Sequence, residues 1–203
     1  MDSSTQTERE THTGRKLYLV PLVLEIQDGP EGYAEKVAAY WREVADHVSK
    51  LEANFGQVCK IYHESLISGG NEGLEILKRS NPQAHRMIDR KVKKGATLVA
   101  IEEPELLRET YDWGRCLAIV SSAKVLRQVS VAYQEASRKR TQLMAEALDR
   151  DLQDGEIALT VLGQDHALQF PSDIQVFYIS PPTLDEIRRW LREQAEKDDG
   201  GTA

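Results

Sequence analysis

The chain has 203 residues, 26 of them Lys or Arg and 33 Asp or Glu, giving a formal net charge of −7. That length fits one domain, large enough to fold on its own hydrophobic core without disulfides or metal. The acidic balance excludes a general nucleic-acid binder, which needs cationic surface to displace counterions from phosphates.

Residues 1–15 are polar with no apolar run and read as a disordered tail; they lack the basic start and apolar stretch of a secretory leader. Residues 16–24 (KLYLVPLVL) are nearly all apolar, the pattern of a strand covered on both faces, with Pro21 at its end or at a bulge. From about residue 31 to 55, Val37, Trp41, Val44, Val48, Leu51 and Phe55 recur at helical spacing and predict an amphipathic helix. Residues 57–62 form a second strand, ending in His63-Glu64. A short helix over 72–78 is expected with Asn71 as its cap. A second begins at Asn81-Pro82.

Residues 96–101 (ATLVAI) predict a third strand, followed by Glu102, Glu103 and Pro104. The pattern from 104 to 152 is helical, with Gly114 its only evident weak point. Strands follow at 156–162 and 174–179. Thr183 is expected to cap a last helix over 184–196, and residues 197–203 read as a second disordered tail. The alternation predicts an α/β fold, a mainly parallel sheet of about five strands with helices on both faces, in a single domain over 16–196.

In such sheets, ligands lie beyond the C-terminal ends of the strands. The polar residues at those ends are Glu25, His63-Glu64, Glu102-Glu103 and Gly163-Gln164-Asp165-His166. His166 follows a glycine that lets the chain turn after the fourth strand. Its imidazole is then a candidate base, acid or ligand; the ordinary alternative is a loop histidine paired with Asp165. Glu64 suits a general base or a metal ligand, and the ordinary alternative is an exposed loop acid. His63, Glu64, Glu102 and His166 together have the chemistry of a divalent-metal site. Arg140, within Arg138-Lys139-Arg140, is a candidate anion holder if it faces the strand ends.

The basic residues from Lys78 to Lys94 read as a solvated helix face with cations near helix C-termini. No GxGxxG, Walker loop, GxSxG or HExxH motif is present. Cys59 and Cys116 are read as buried free thiols in a reducing cytoplasm, and no segment has the length of a membrane helix. Trp41, Trp113 and Trp190 are expected in the core.

Residues 140–179 resemble the C-terminal part of the TraB/PrgY–Tiki superfamily, which groups with erythromycin esterase and the ChaN-like haem-binding proteins. The resemblance rests on Arg140 opening a helix with the Met144-Ala145 pair, Gly155 ending that helix, and a strand running into Gly163…His166. Glu64 in KIYHES matches the family's glutamate at an earlier strand end. The likeness departs where the family usually has a first G-x-x-H: this chain has Pro21-Leu22-Val23-Leu24, with leucine in the histidine's place, and Thr141 follows the motif arginine.

The resemblance implies a metal-dependent hydrolase ancestry with Glu64, Arg140 and His166 as catalytic residues. Three readings follow from the sequence. One is a cytoplasmic hydrolase acting on a small-molecule or peptide ligand. The second is a catalytically degenerate domain of the same fold that binds a small molecule, haem or a protein. The third is a helical module that forms a homodimer through the Trp41 stripe or the 104–152 region. None involves nucleic acid or membrane.

Overall fold

The computed structural model describes residues 14–26 and 29–200. Residues 1–13, most of the expected N-terminal tail, and 201–203 lie outside it. Five strands, β1 (Arg15–Pro21), β2 (Lys60–His63), β3 (Thr97–Val99), β4 (Ile157–Leu162) and β5 (Ile174–Tyr178), form one sheet. Its order is β3-β2-β4-β1-β5, and every pairing is parallel. Six helices complete the chain: α1 (Tyr33–Phe55), α2 (Gly70–Ser80), α3 (Pro82–Val92), α4 (Pro104–Ile119), α5 (Ala123–Asp151) and α6 (Pro182–Gly200).

The expected α/β architecture with helices on both faces is what forms. Strand side chains alternate, so Tyr18, Val20, Ile61, Leu159 and Val161 point to one face and pack with α1, α2, α3 and α6. Leu17, Leu19, Tyr62, Ala158 and Leu162 point to the other and meet Met144, Leu148 and Leu152 at the C-terminal end of α5. The α1 stripe is core: Val37, Tyr40, Trp41, Val44 and Val48 are all buried. It therefore offers no dimer seam.

The boundaries differ from expectation in ways that have physical causes. Strand β1 starts at Arg15, inside the expected tail. The Arg15 guanidinium donates to the Asp149 and Leu152 carbonyls at 2.8 and 3.2 Å and pairs with Asp149 and Asp173 at 2.7 Å each. These partners lie more than 130 positions away in sequence, so no local pattern signals them.

Helix α2 starts at Gly70, with Gly69 in the cap position and no capping side chain. Asn71 is thus inside the helix rather than at its cap. Asn81 does cap α3, accepting from the Ala84 amide at 3.2 Å.

The expected 104–152 helix is two helices, broken not at Gly114 but at Val120-Ser121-Ser122. Serines compete for backbone hydrogen bonds and favour helix ends. Gly114 stays helical and faces Tyr133 of α5. Thr183 lies in the first turn of α6, where its hydroxyl donates to Glu43 at 2.8 Å. Helix α6 continues past residue 196 to Gly200, so part of the expected C-terminal tail is helical. Residues 196–199 contain neither proline nor glycine, and each added residue gains a backbone hydrogen bond once the helix is nucleated.

The cysteines are free, as expected, but half-buried rather than buried. Among the described residues, no helix is long and apolar enough to cross a membrane.

Candidate functional site

The strand order sets the location. From β2 the chain crosses outward to β3. From β4, the neighbour of β2, it leaves in the opposite direction and passes β1 to reach β5. Adjacent strands with diverging connections leave a crevice at their C-terminal ends. Glu64 is the first residue after β2 and Gly163 the first after β4. The Glu64 amide also donates to the Val161 carbonyl at 2.9 Å, which fixes the glutamate against β4.

Four charged or polar groups meet there. Glu64 Oε2 accepts from the Gly163 amide, and Oε1 accepts from Arg140 Nη2 at 3.1 Å. Arg140 also donates from Nε to Glu102 Oε2 at 2.9 Å and from Nη2 to Glu102 Oε1. The Ser65 amide adds a third bond to the Glu102 carboxylate, at Oε1 and 2.8 Å.

The side chains of Arg140, Glu64 and Glu102 are 13%, 20% and 0% exposed, so the ion-pair network is largely withdrawn from water. Burial works against the guanidinium charge. The hydrogen bonds and charges of Glu102 and Glu64 outweigh it and raise the Arg140 pKa above its ordinary value.

Three further features belong to the geometry. First, Gly163 is favoured by proximity, not by a turn needing positive φ: a Cβ there would sit 3.0 Å from Glu64 Oε2 and the carboxylate would have to give by a few tenths of an ångström. Second, Ser65 has φ 70°, a left-handed conformation costing about 1–2 kcal/mol in a non-glycine residue. It aims the Ser65 amide at Glu102, while its hydroxyl shares a 2.8 Å hydrogen bond with the Tyr111 hydroxyl. Third, His166 does not pair with Asp165. Its own amide donates to the Gly163 carbonyl at 3.2 Å, and its Nδ1 is buried with no partner among the described residues. Burial lowers the His166 pKa, with the Glu64 charge pulling the other way, which favours the neutral imidazole.

Glu64, Arg140 and His166, the three expected catalytic residues, line one cleft of about 330 Å3 with Gly163, Gln164 and Asp165. Its far wall comes from the α4–α5 hairpin: Thr110, Tyr133, Ser137, Thr141 and Met144. Thr141 and Met144 enter the sequence reading only through the family resemblance, and Thr110, Tyr133 and Ser137 do not enter it. The signal was available, since 133, 137, 140 and 144 fall at helical spacing on the face that carries Arg140. Arg138 and Lys139 are exposed, as expected of a solvated face.

The metal reading of His63, Glu64, Glu102 and His166 does not fit the arrangement. Both oxygens of Glu64 and of Glu102 accept hydrogen bonds from Arg140 or from backbone amides. His63 is buried with Nδ1 against the Glu64 carbonyl at 2.5 Å. Among the described residues no group of three or more His, Cys, Asp or Glu side chains is placed to hold a metal ion. The carboxylates have a cation already, and it is Arg140.

The remaining strand-end acids do other work. Glu103 caps α4 by accepting from the Glu105 and Leu106 amides, and Glu25 does not line the cleft. Leu24, where the resembled family has its first histidine, is 48% exposed and also outside the cleft. The Val23 carbonyl is held by Trp41 and Asn81, and the Leu24 carbonyl by Tyr33. Those bonds draw the segment after β1 over the α1 face.

No protein-family model, curated protein or solved structure matches the chain.

Proposed function

We propose that the chain is a hydrolase whose reaction centre is the cleft between the ends of β2 and β4. The observation that carries this reading is the convergence of an imidazole whose buried Nδ1 has no partner among the described residues with a buried guanidinium held in place by two carboxylates. His166 is the general base: it takes a proton from water, whose oxygen adds to the carbonyl carbon of an ester or amide. The negative charge that develops on the carbonyl oxygen is stabilised by Arg140, whose Nη1 has no partner among the described residues. The imidazolium then returns its proton to the leaving group as the carbon–oxygen or carbon–nitrogen bond breaks.

Glu64 is a positioning residue in this scheme. With both oxygens engaged, it locks Arg140 to the Gly163 end of β4 and is not free to take a proton from water. The likeness of residues 140–179 to the TraB/PrgY–Tiki superfamily supports a hydrolytic ancestry. The occupied carboxylates favour chemistry that uses Arg140 as the fixed cation.

The test is a panel of peptides and activated esters, assayed with and without divalent metals. His166→Ala should abolish turnover, while His85→Ala, on α3, should leave it intact. Equal behaviour of the two variants refutes the assignment. Leu24 in place of the family's first histidine favours a second reading, a binding domain that has lost catalysis. Saturable ligand binding without turnover anywhere in the panel would select it.

A further inference from the structure

A second cavity, of about 200 Å3, opens on the other side of the β4 end. It shares Gly163, Gln164 and His166 with the polar cleft, so one imidazole borders both. Its character is different. The walls are Leu19, Pro21, Leu162, Ile179 and Leu184.

The cavity lies at the C-terminal ends of β1, β4 and β5, with α6 beside it. The one charged group on its lining, Arg188, is already engaged: it donates to Gln164 at 2.6 Å and to Asp185 at 3.0 Å. With Arg188 engaged, the surface offered is mainly apolar, and Gln164, His166, Tyr178 and Ser180 are its other polar groups.

We propose that this cavity is the acyl-chain subsite of the hydrolase proposed above. The chemistry implied is an ester or amide whose carbonyl lies at His166, with an unbranched apolar acyl chain running across Gly163 into the β1–β5 side. This rests on the hydrolase reading for the carbonyl position, while the subsite itself rests on the shared floor and the apolar walls. Two adjoining compartments, one polar and one apolar, together reach the size range of ligand sites, about 300–1,000 Å3. Each methylene moved from water into such a lining is worth about fourfold in affinity. At about 30 Å3 for a water-sized volume, the apolar cavity holds a chain on the order of six carbons.

The test uses p-nitrophenyl esters from acetate to decanoate, with free octanoate and acetate followed by calorimetry at pH 7. The key variant is Ser180→Trp. Ser180 is exposed and lines the mouth of the apolar cavity, so the indole fills the entrance without disturbing the core; circular dichroism verifies the fold. kcat/KM should rise about fourfold per methylene and level off near six carbons. Ser180→Trp should flatten the rise of kcat/KM with chain length. A rate independent of chain length, or the same slope in Ser180→Trp, overturns the subsite.

If no ester is turned over, the hydrolase reading fails and octanoate decides the subsite separately. Binding stronger than that of acetate and lost in Ser180→Trp sustains it. No binding of octanoate, or equal binding to both proteins, overturns it.

Discussion

Replacing Arg140 by Met tests the central feature of the site. The substitution keeps the aliphatic stem and removes the guanidinium, leaving Glu64 and Glu102 facing one another with no cation. Glu102 suffers most, because its side chain is fully buried and loses its two bonds from Arg140, keeping only the one from the Ser65 amide. Removing one partner from a buried ion pair costs about 3–5 kcal/mol. For a domain of this length, 1 kcal/mol moves the melting midpoint by about 2–4 °C, so a fall of roughly 6–20 °C is expected.

The deficit should depend on pH. An unpaired buried carboxylate takes up a proton in preference to staying charged, so the folded variant binds more protons than its unfolded chain. The penalty is therefore largest at neutral pH and shrinks as pH falls toward 4. Adding Glu102→Gln removes the stranded charge and should recover about half of the loss. The assay is urea denaturation of wild type, both single variants and the double variant at pH 7 and pH 5. A loss below about 1 kcal/mol for Arg140→Met, or additive effects in the double variant, would refute the buried network.

Gly163→Ala introduces a Cβ about 3.0 Å from Glu64 Oε2; ester turnover should drop at least tenfold with a stability loss of only about 1–3 kcal/mol, and unchanged kcat/KM would show that Glu64 does not need that approach. His63 and His166 both have pKa values lowered by burial, so the unfolded chain binds more protons than the folded one below about pH 6.5. Folding stability should thus rise between pH 5 and 7, and His63→Gln should reduce the slope of a urea-derived stability profile, by at most about 1.4 kcal/mol per pH unit; an unchanged slope counts against the buried neutral imidazole. The kcat/KM profile should lose activity on the acid side with an apparent pKa below that of free histidine, and a limb above pH 7 would exclude His166 as the base. Ser65→Gly relieves about 1–2 kcal/mol of left-handed backbone cost against about 0.5–1 kcal/mol of added chain entropy, so a small gain in melting midpoint is expected; a large loss would mean that the Ser65–Tyr111 hydrogen bond matters more than the backbone. Millimolar Mg2+, Mn2+ or Zn2+ should leave the melting midpoint unmoved, because both carboxylates are already satisfied, whereas a metal-dependent rise would overturn that reading.

The layered sheet was legible because apolar runs such as 16–24 and 156–162 report burial on both faces directly. Helices α1 and α3 were legible from period and cap. The three strand-end residues Glu64, Arg140 and His166 could be named, but the roles of the carboxylates could not. Whether a glutamate binds a metal or an arginine depends on which groups arrive from elsewhere in the chain. Arg140 reaches Glu102 across 38 positions and Glu64 across 76. The same applies to Arg15, whose polar context reads as tail until Asp149 and Asp173 are in place. In sequence Gly163 reads as a turn residue, whereas in the fold its constraint is a through-space one with Glu64. The break falls at 120–122 because Gly114 is held in α4 against Tyr133 of α5, while Ser121 and Ser122 favour a helix end.

The sheet order has a consequence for how the molecule is made. β1 is bonded only to β4 and β5, so the earliest strand of this sheet to be synthesised waits for the latest two. At about 5–20 residues per second, the 136 positions between Pro21 and Ile157 take about 7–30 s to synthesise. During that interval a strand that is mostly apolar has no edge to join, and β2 has only β3. The cleft is completed in the same late event, because Glu64 meets Gly163 only when β4 slots between β2 and β1. A chain stopped before residue 157 would therefore carry Glu64, Glu102 and Arg140 but neither the glycine amide nor the imidazole, with the central gap of its sheet open to any passing strand.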